Sequence, residues 1–102
     1  MQGELQNSAP LHAMSEDLKR KIYIETEYKG MRIKVARCKS VTELIVNDFV
    51  YAELKILMES SGYDLYAVVN GVPLVVLARK QGIGGKLSLY ADGQLIGEKK
   101  RY

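Results

Sequence analysis

The chain has 102 residues, 47% hydrophobic and 26% charged, enough for one domain with a modest core and too few for two. One cysteine, Cys38, rules out an internal disulfide, and a single histidine, His12, near the N-terminus leaves the rest of the chain without a Ser-His-Asp or Cys-His set. The net charge of +3 falls in blocks of −2 over residues 1–27, +5 over 28–42, −4 over 43–64 and +4 over 65–102, a pattern of charged faces rather than of a uniformly basic nucleic-acid binder.

Met1 to Ala13 is polar, lacks any period and contains Pro10. Residues 1–14 read as a flexible tail or an added remnant, with Met14 a candidate start and 15–102 a single β domain. The N-terminus has no basic start followed by an apolar run of secretory type. The longest apolar run, Val72 to Ala78, is far short of the roughly 20 residues a spanning helix needs. With the lone cysteine, this gives the expectation of a cytoplasmic protein that does not contact membrane.

Ser15-Glu16-Asp17 ahead of Leu18-Lys19-Arg20-Lys21 reads as a cap, an acidic first turn and a basic last turn. A helix that short forms only if Leu18 finds something to pack on. Ile22 to Arg37 reads as a hairpin about Lys29-Gly30. Tyr28 then faces Met31, Glu27 faces Arg32, Thr26 faces Ile33, Glu25 faces Lys34 and Ile24 faces Val35. One face is apolar, and the other carries two opposite-charge pairs, each contributing ~0.2–1 kcal/mol. Their larger effect is on register, because a one-residue slip would carry glutamates into the core. Lys29 at a φ > 0 position is the weak point.

Val41 to Met58 admits two readings. As a hairpin, Asn47-Asp48 is the turn, with Leu44-Ile45-Val46 facing Phe49-Val50-Tyr51. As a helix, Asp48 caps FVYAELKILMES and Ser61-Gly62 stops it. Turn spacing favours strands, since Asn47 to Asn70 is 23 residues and Asn70 to Asp92 is 22. A helical or bulged end after Ala52 stays open.

The strongest local signal lies in Leu65 to Lys80, where two apolar runs meet at Asn70-Gly71. A type I′ turn needs φ > 0 at both central residues, which Asn tolerates and Gly adopts freely. One face of this hairpin is Tyr63, Leu65, Ala67, Val69, Val72, Leu74, Val76 and Ala78. The other is Asp64, Tyr66, Val68, Pro73, Val75, Leu77 and Arg79. Both are largely apolar, so the pair is either covered on both sides or lends one side to an interface. Pro73 lacks the amide that a ladder on its far side would use, so the start of this strand is an edge or a bulge. A glycine-rich connection, Gln81 to Lys86, leads to a last hairpin about Asp92-Gly93.

Four hairpins at a spacing of about 20 residues predict an all-β antiparallel meander of up to eight strands. Such a meander buries one face of each strand as a small sandwich or a partly open barrel. The stretches ELIVNDFVYAE, LYAVVNGVPL and LYADGQLIGEKKR, about a third of the chain, resemble small uncharacterised bacterial β-domains with repeated (N/D)-G hairpins. That resemblance implies the fold and carries no activity or site.

Chemistry finds little purchase. The glycine loop is no P-loop, since Lys80 stands where Gly is needed, Leu87 follows Lys86, and a strand rather than a helix comes next. Cys38 lies between Arg37 and Lys39, neighbours that lower a thiol pKa, yet a single cysteine at a strand end is usually structural. Glu25 and Glu27 share a face opposite Lys34 and Arg32, which neutralise them. No catalytic residue, cofactor or metal is therefore expected, and the reading is of a non-enzymatic protein-interaction module, open to self-association. Its candidate surface is Tyr66, Val68, Val75 and Leu77. An alternative is single-stranded nucleic-acid binding through Arg32, Lys34, Arg79, Lys86, Lys99 and Arg101 beside tyrosines. A small inhibitor encoded by a phage or mobile element is a further alternative.

Overall fold

A computed structural model describes residues 5–55, 62–80 and 84–100. Among the described residues nine antiparallel strands form two packed sheets that do not close into a barrel, and there is no helix. One sheet has the order β1-β5-β4-β3-β2, from β1 (His12–Ala13), β2 (Lys21–Tyr28), β3 (Met31–Cys38), β4 (Val41–Val46) and β5 (Phe49–Lys55). The other has the order β6-β7-β8-β9, from β6 (Gly62–Val69), β7 (Val72–Lys80), β8 (Gly85–Ala91) and β9 (Gln94–Lys100). The expected eight-strand meander is β2 to β9. Of the two closures expected, the sandwich is the one adopted.

Turn chemistry sets the registers. Lys29-Gly30, Asn47-Asp48, Asn70-Gly71 and Asp92-Gly93 all have positive φ at both residues, the signature of type I′. Every pairing expected across Lys29-Gly30 is present, from Tyr28↔Met31 to Ile24↔Val35, with Lys29 itself at φ 49°. Asn47-Asp48 makes the same turn without glycine. The chain there is tied down by Asn47 N–H donating to the Arg32 carbonyl at 2.9 Å and Arg32 N–H to Asn47 Oδ1 at 3.0 Å. The helical reading of 48–60 fails over Phe49–Lys55, which is strand, and its remainder lies outside the described residues. The expected Leu44–Tyr51 pairing is displaced by a bulge, so that Leu44 faces Ala52.

Gly71 has φ +76° and nothing within 4 Å of where a Cβ would sit, so its role is conformational only. Gly71→Ala is expected to cost about 1 kcal/mol by urea unfolding, the penalty of φ > 0 for a side chain with a Cβ. An unchanged midpoint would place the turn elsewhere.

The face of β6–β7 expected inside is inside: Leu65, Ala67, Leu74, Val76 and Ala78 pack against Ile33, Val35, Leu44 and Val46 of the facing sheet. The Thr42 hydroxyl, buried between the sheets, meets Tyr63 Oη at 3.3 Å. Pro73 costs no ladder bond. β7 is central, but its pairing with β8 begins at Leu74↔Ala91, and the Pro73 carbonyl accepts from Asp92 N–H at 3.1 Å. The unpaired strand start read from Pro73 is therefore local and leaves β7 with two partners.

The N-terminal segment differs from expectation. Residues 15–21 form no helix, because Leu18 is fully exposed and has nothing to pack on. The Asp17 carboxylate accepts from Lys19 N–H at 2.9 Å, closing an Asx turn that stops after one bond from Arg20 N–H to the Asp17 carbonyl. Nor do the described residues of the expected tail hang free. Ser8 pairs with the edge of β6, donating to the Val68 carbonyl at 2.7 Å and accepting from Val68 N–H through its Oγ at 2.9 Å. His12–Ala13 then pairs with β5. Beyond it the chain crosses the outer face of the first sheet, where Met14 packs on Ala36, Ile45 and Val50, and Arg20 meets the buried Glu43. Residues 7–20 thus act as a strap from one sheet across the back of the other.

The hairpin tips are joined as well. Asp92 Oδ2 accepts from the Tyr28 hydroxyl at 2.9 Å and from Lys29 Nζ at 3.0 Å, linking the Lys29-Gly30 and Asp92-Gly93 turns of opposite sheets. Lys29 first, then Tyr28, holds the Asp92 carboxyl below the usual carboxylate range. A depressed folded pKa stabilises above the unfolded value of about 3.9, and that contribution is lost as pH falls through the folded value. Lys29→Ala should move the Asp92 titration, followed by carbon NMR, back up toward the ordinary value. An unmoved midpoint would mean that the clasp is open in solution.

Candidate functional site

The outer face of β6–β9 is built in rows by strand register. One row runs across all four strands as Tyr66↔Val75↔Tyr90↔Leu95. Toward the turns lies the pair Val68↔Pro73, and away from them Asp64↔Leu77↔Ser88↔Glu98. Farthest out is the row Gly62↔Arg79↔Lys86↔Lys100. Alternation along each strand dictates this layout, because residues two apart share a face. The face therefore grades from apolar and aromatic near the turns to basic at the opposite end.

Three of the four residues expected at the site belong to this surface. Tyr66 is 57% exposed, and Val75 and Leu77 are half-buried in the sheet face. Val68 does not take part, because it is only 3% exposed, at the point where Ser8 pairs with its backbone. Sequence reasoning missed Tyr90 and Leu95, the latter 51% exposed, which complete the row. Their pairing follows from the Asp92-Gly93 turn, which sets Ala91 opposite Gln94 and Tyr90 opposite Leu95. Placing them beside Val75 needed the β7–β8 register as well, across a loop with no turn signal of known length.

The first sheet supplies an internal reference. Counted from the equivalent turns, its matching row is Glu25↔Lys34↔Ile45↔Val50. Two members are charged, and the other two are fully buried under Met14 of the strap. The same β-bulge follows the second pair after the turn in both β4–β5 and β8–β9, so the two faces are comparable position by position. The first has its apolar pair covered by the chain's own strap, and the second keeps Tyr66 and Leu95 in solvent.

The six cations of the nucleic-acid reading are not brought together. Arg32 and Lys34 lie on the outer face of the first sheet, Arg79 and Lys86 on that of the second. Lys99 sits on β9 opposite the inward Leu87, and Arg101 lies outside the described residues. Several are paired: Arg79 with Asp64 at 2.9 Å, Lys86 with Glu98 at 3.5 Å and Arg32 with Asp48 at 3.5 Å. Of the tyrosines, Tyr23, Tyr28, Tyr51 and Tyr63 pack against the core. Tyr66 and Tyr90 are left on the outer face.

Other candidates resolve into structure. Cys38 Sγ donates to Asp17 Oδ2 at 3.2 Å, and this bond, with burial, pushes the thiol pKa up. The lowering that Arg37 and Lys39 alone would bring is thereby outweighed, in keeping with a structural cysteine. His12 belongs to the strap, with Nε2 at 2.9 Å from Glu53 Oε1. Among the described residues no three His, Cys, Asp or Glu side chains are grouped to hold a metal ion, and no helix is long and apolar enough to cross a membrane. Half of the glycine-rich connection, residues 81–83, lies outside those described, and Gly85 and Lys86 already belong to β8. Comparison with protein-family models, with curated proteins and with solved structures returns no match for this chain.

Proposed function

We propose that this domain works by binding protein, without catalysis, through the outer face of β6–β9. The observation that supports this reading is the row Tyr66–Val75–Tyr90–Leu95, apolar and aromatic from edge to edge. In the equivalent row of the sister sheet the two apolar members, Ile45 and Val50, are covered by Met14 of the strap, and the other two are charged. Contiguous apolar surface of that kind is typical of interaction sites, and tyrosine suits them because it offers area at low entropic cost.

Stacking on the face is better supported than strand addition at an edge. β9 carries a bulge, Lys99 and Lys100, and its Gly97 abuts Ile24 of β2. β2 has its own bulge at Tyr23, and Ser8 occupies part of the β6 edge. These are the usual means of blunting an edge. Nucleic-acid binding has less support, because its cations divide between opposite faces and several already have carboxylate partners.

The double substitution Val75→Lys/Leu77→Lys tests the reading. Both side chains lie on the outer face, so the variant should melt within about 5 °C of wild type, as surface changes do. Binding of an apolar fluorescent dye to the folded protein should drop at the same time. Global unfolding would mean that two charges had been placed in a core, and would end the proposal.

A further inference from the structure

We infer that the occupant of this face is a second copy of the chain, stacked face to face about a two-fold axis; the inference rests on the binding role proposed above.

Charge is the first argument. The ionic groups of the face are matched within it, Asp64 by Arg79 at 2.9 Å and Glu98 by Lys86 at 3.5 Å and Lys100 at 3.8 Å. With only one cation in excess over its two carboxylates, the face meets its own copy with little of the like-charge penalty that a strongly acidic or basic surface would impose. Arrangement is the second. Isologous contact requires a patch that matches itself under two-fold rotation. Take the axis along the row Tyr66–Val75–Tyr90–Leu95, at right angles to the strands. Each member of the row then meets its own counterpart, and the direction of the strands reverses. Leu77 of one copy falls on Pro73 of the other. The basic row Arg79–Lys86–Lys100 comes level with the Asn70-Gly71 and Asp92-Gly93 turns, so no two basic rows coincide.

Area is the third argument. Four strands at about 4.8 Å spacing and nine residues of β7 at about 3.3 Å each give a face of roughly 500 Å². Two such faces bury on the order of 1,000 Å², the lower end of what specific dimers use. An interface of that size belongs to the weak, reversible class.

Sedimentation equilibrium of the full chain between about 1 and 500 μM, joined to amide NMR over the same dilution series, tests this. The expected result is a monomer–dimer equilibrium in which shifts concentrate on Tyr66, Val75, Leu77, Tyr90 and Leu95. It should depend little on salt, and Val75→Lys/Leu77→Lys should weaken it on the order of 100-fold or more while keeping the wild-type amide pattern elsewhere. A wild type that stays monomeric up to 500 μM, with the variant folded, overturns the second copy and leaves the face to another protein. A dimer whose shifts fall on other strands overturns it too. An unfolded variant overturns the inference and the binding role together, and Tyr66→Lys, at the most exposed position of the row, then checks that outcome by the same two measurements.

Discussion

Arg20→Ala is expected to destabilise the domain by about 3–5 kcal/mol, the usual cost of removing one partner from a buried ion pair. Arg20 Nε donates to Glu43 Oε1 at 2.9 Å and Nη2 to Oε2 at 3.3 Å, with side-chain exposures of 7% and 6%. Its Nη1 also donates to the Ser15 carbonyl, which ties the guanidinium to the strap as well as to the sheet. Glu43 lies on the outer face of β4 directly opposite Glu53 of β5. The strap brings a basic side chain to each, Arg20 to Glu43 and His12 to Glu53. Without Arg20, a buried carboxylate faces another across the ladder with no cation between them. The double replacement Arg20→Met/Glu43→Leu separates charge from packing, since an apolar pair of similar volume should recover most of the loss. Chemical denaturation reads both. A loss under about 1 kcal/mol for Arg20→Ala would put the pair among solvated surface bridges and detach the strap.

That strap is also where the sequence was least legible, and the reason is physical. Turn residues act over two positions, so Lys29-Gly30, Asn70-Gly71 and Asp92-Gly93 announce themselves locally and carry the registers with them. Period-two alternation then assigns faces, which is why the inner face of β6–β7 could be read residue by residue. Residues 7–20 have neither signal. The contacts that hold them to the sheets, Ser8 with Val68, Met14 with Ile45, Arg20 with Glu43, join positions more than twenty apart in the chain. The polarity that suggests a free tail is the polarity of a segment that lies on a surface and hydrogen-bonds to it. Asp17 shows the same ambiguity at one residue. Its carboxylate accepts from the Lys19 amide as a helix cap would, but an Asx turn needs no helix after it. The candidate site was half legible for a related reason. Its hairpin was visible as two-faced, while the extension to Tyr90 and Leu95 depended on which strand lay beside β7. The covering of the other sheet, which makes the exposed face unusual, depended on the strap.

Gly97 presents the opposite case from Gly71, and its replacement should cost more. It has no turn to make. A Cβ built there would lie 2.6 Å from Ile24 Cγ2, where β9 and β2, the edge strands of the two sheets, come together. Ile24 is 5% exposed and belongs to the core, and its Cγ2 branches from a stiff β-carbon. It cannot swing aside as the end of a lysine would. Gly97→Ala must therefore push β9 away from β2 or force Ile24 off its rotamer, at about 1–3 kcal/mol, with Gly97→Val beyond that. Ile24→Ala removes the opposing methyl and alone should cost about 2–5 kcal/mol through the cavity it leaves. Together the two changes should cost less than their sum, because the new Cβ fills part of the space that the isoleucine vacates. Urea unfolding of the four proteins measures the coupling. Strict additivity would mean that the two strands do not meet at this point, and the sandwich would then be open along the side that Gly97 is held to close.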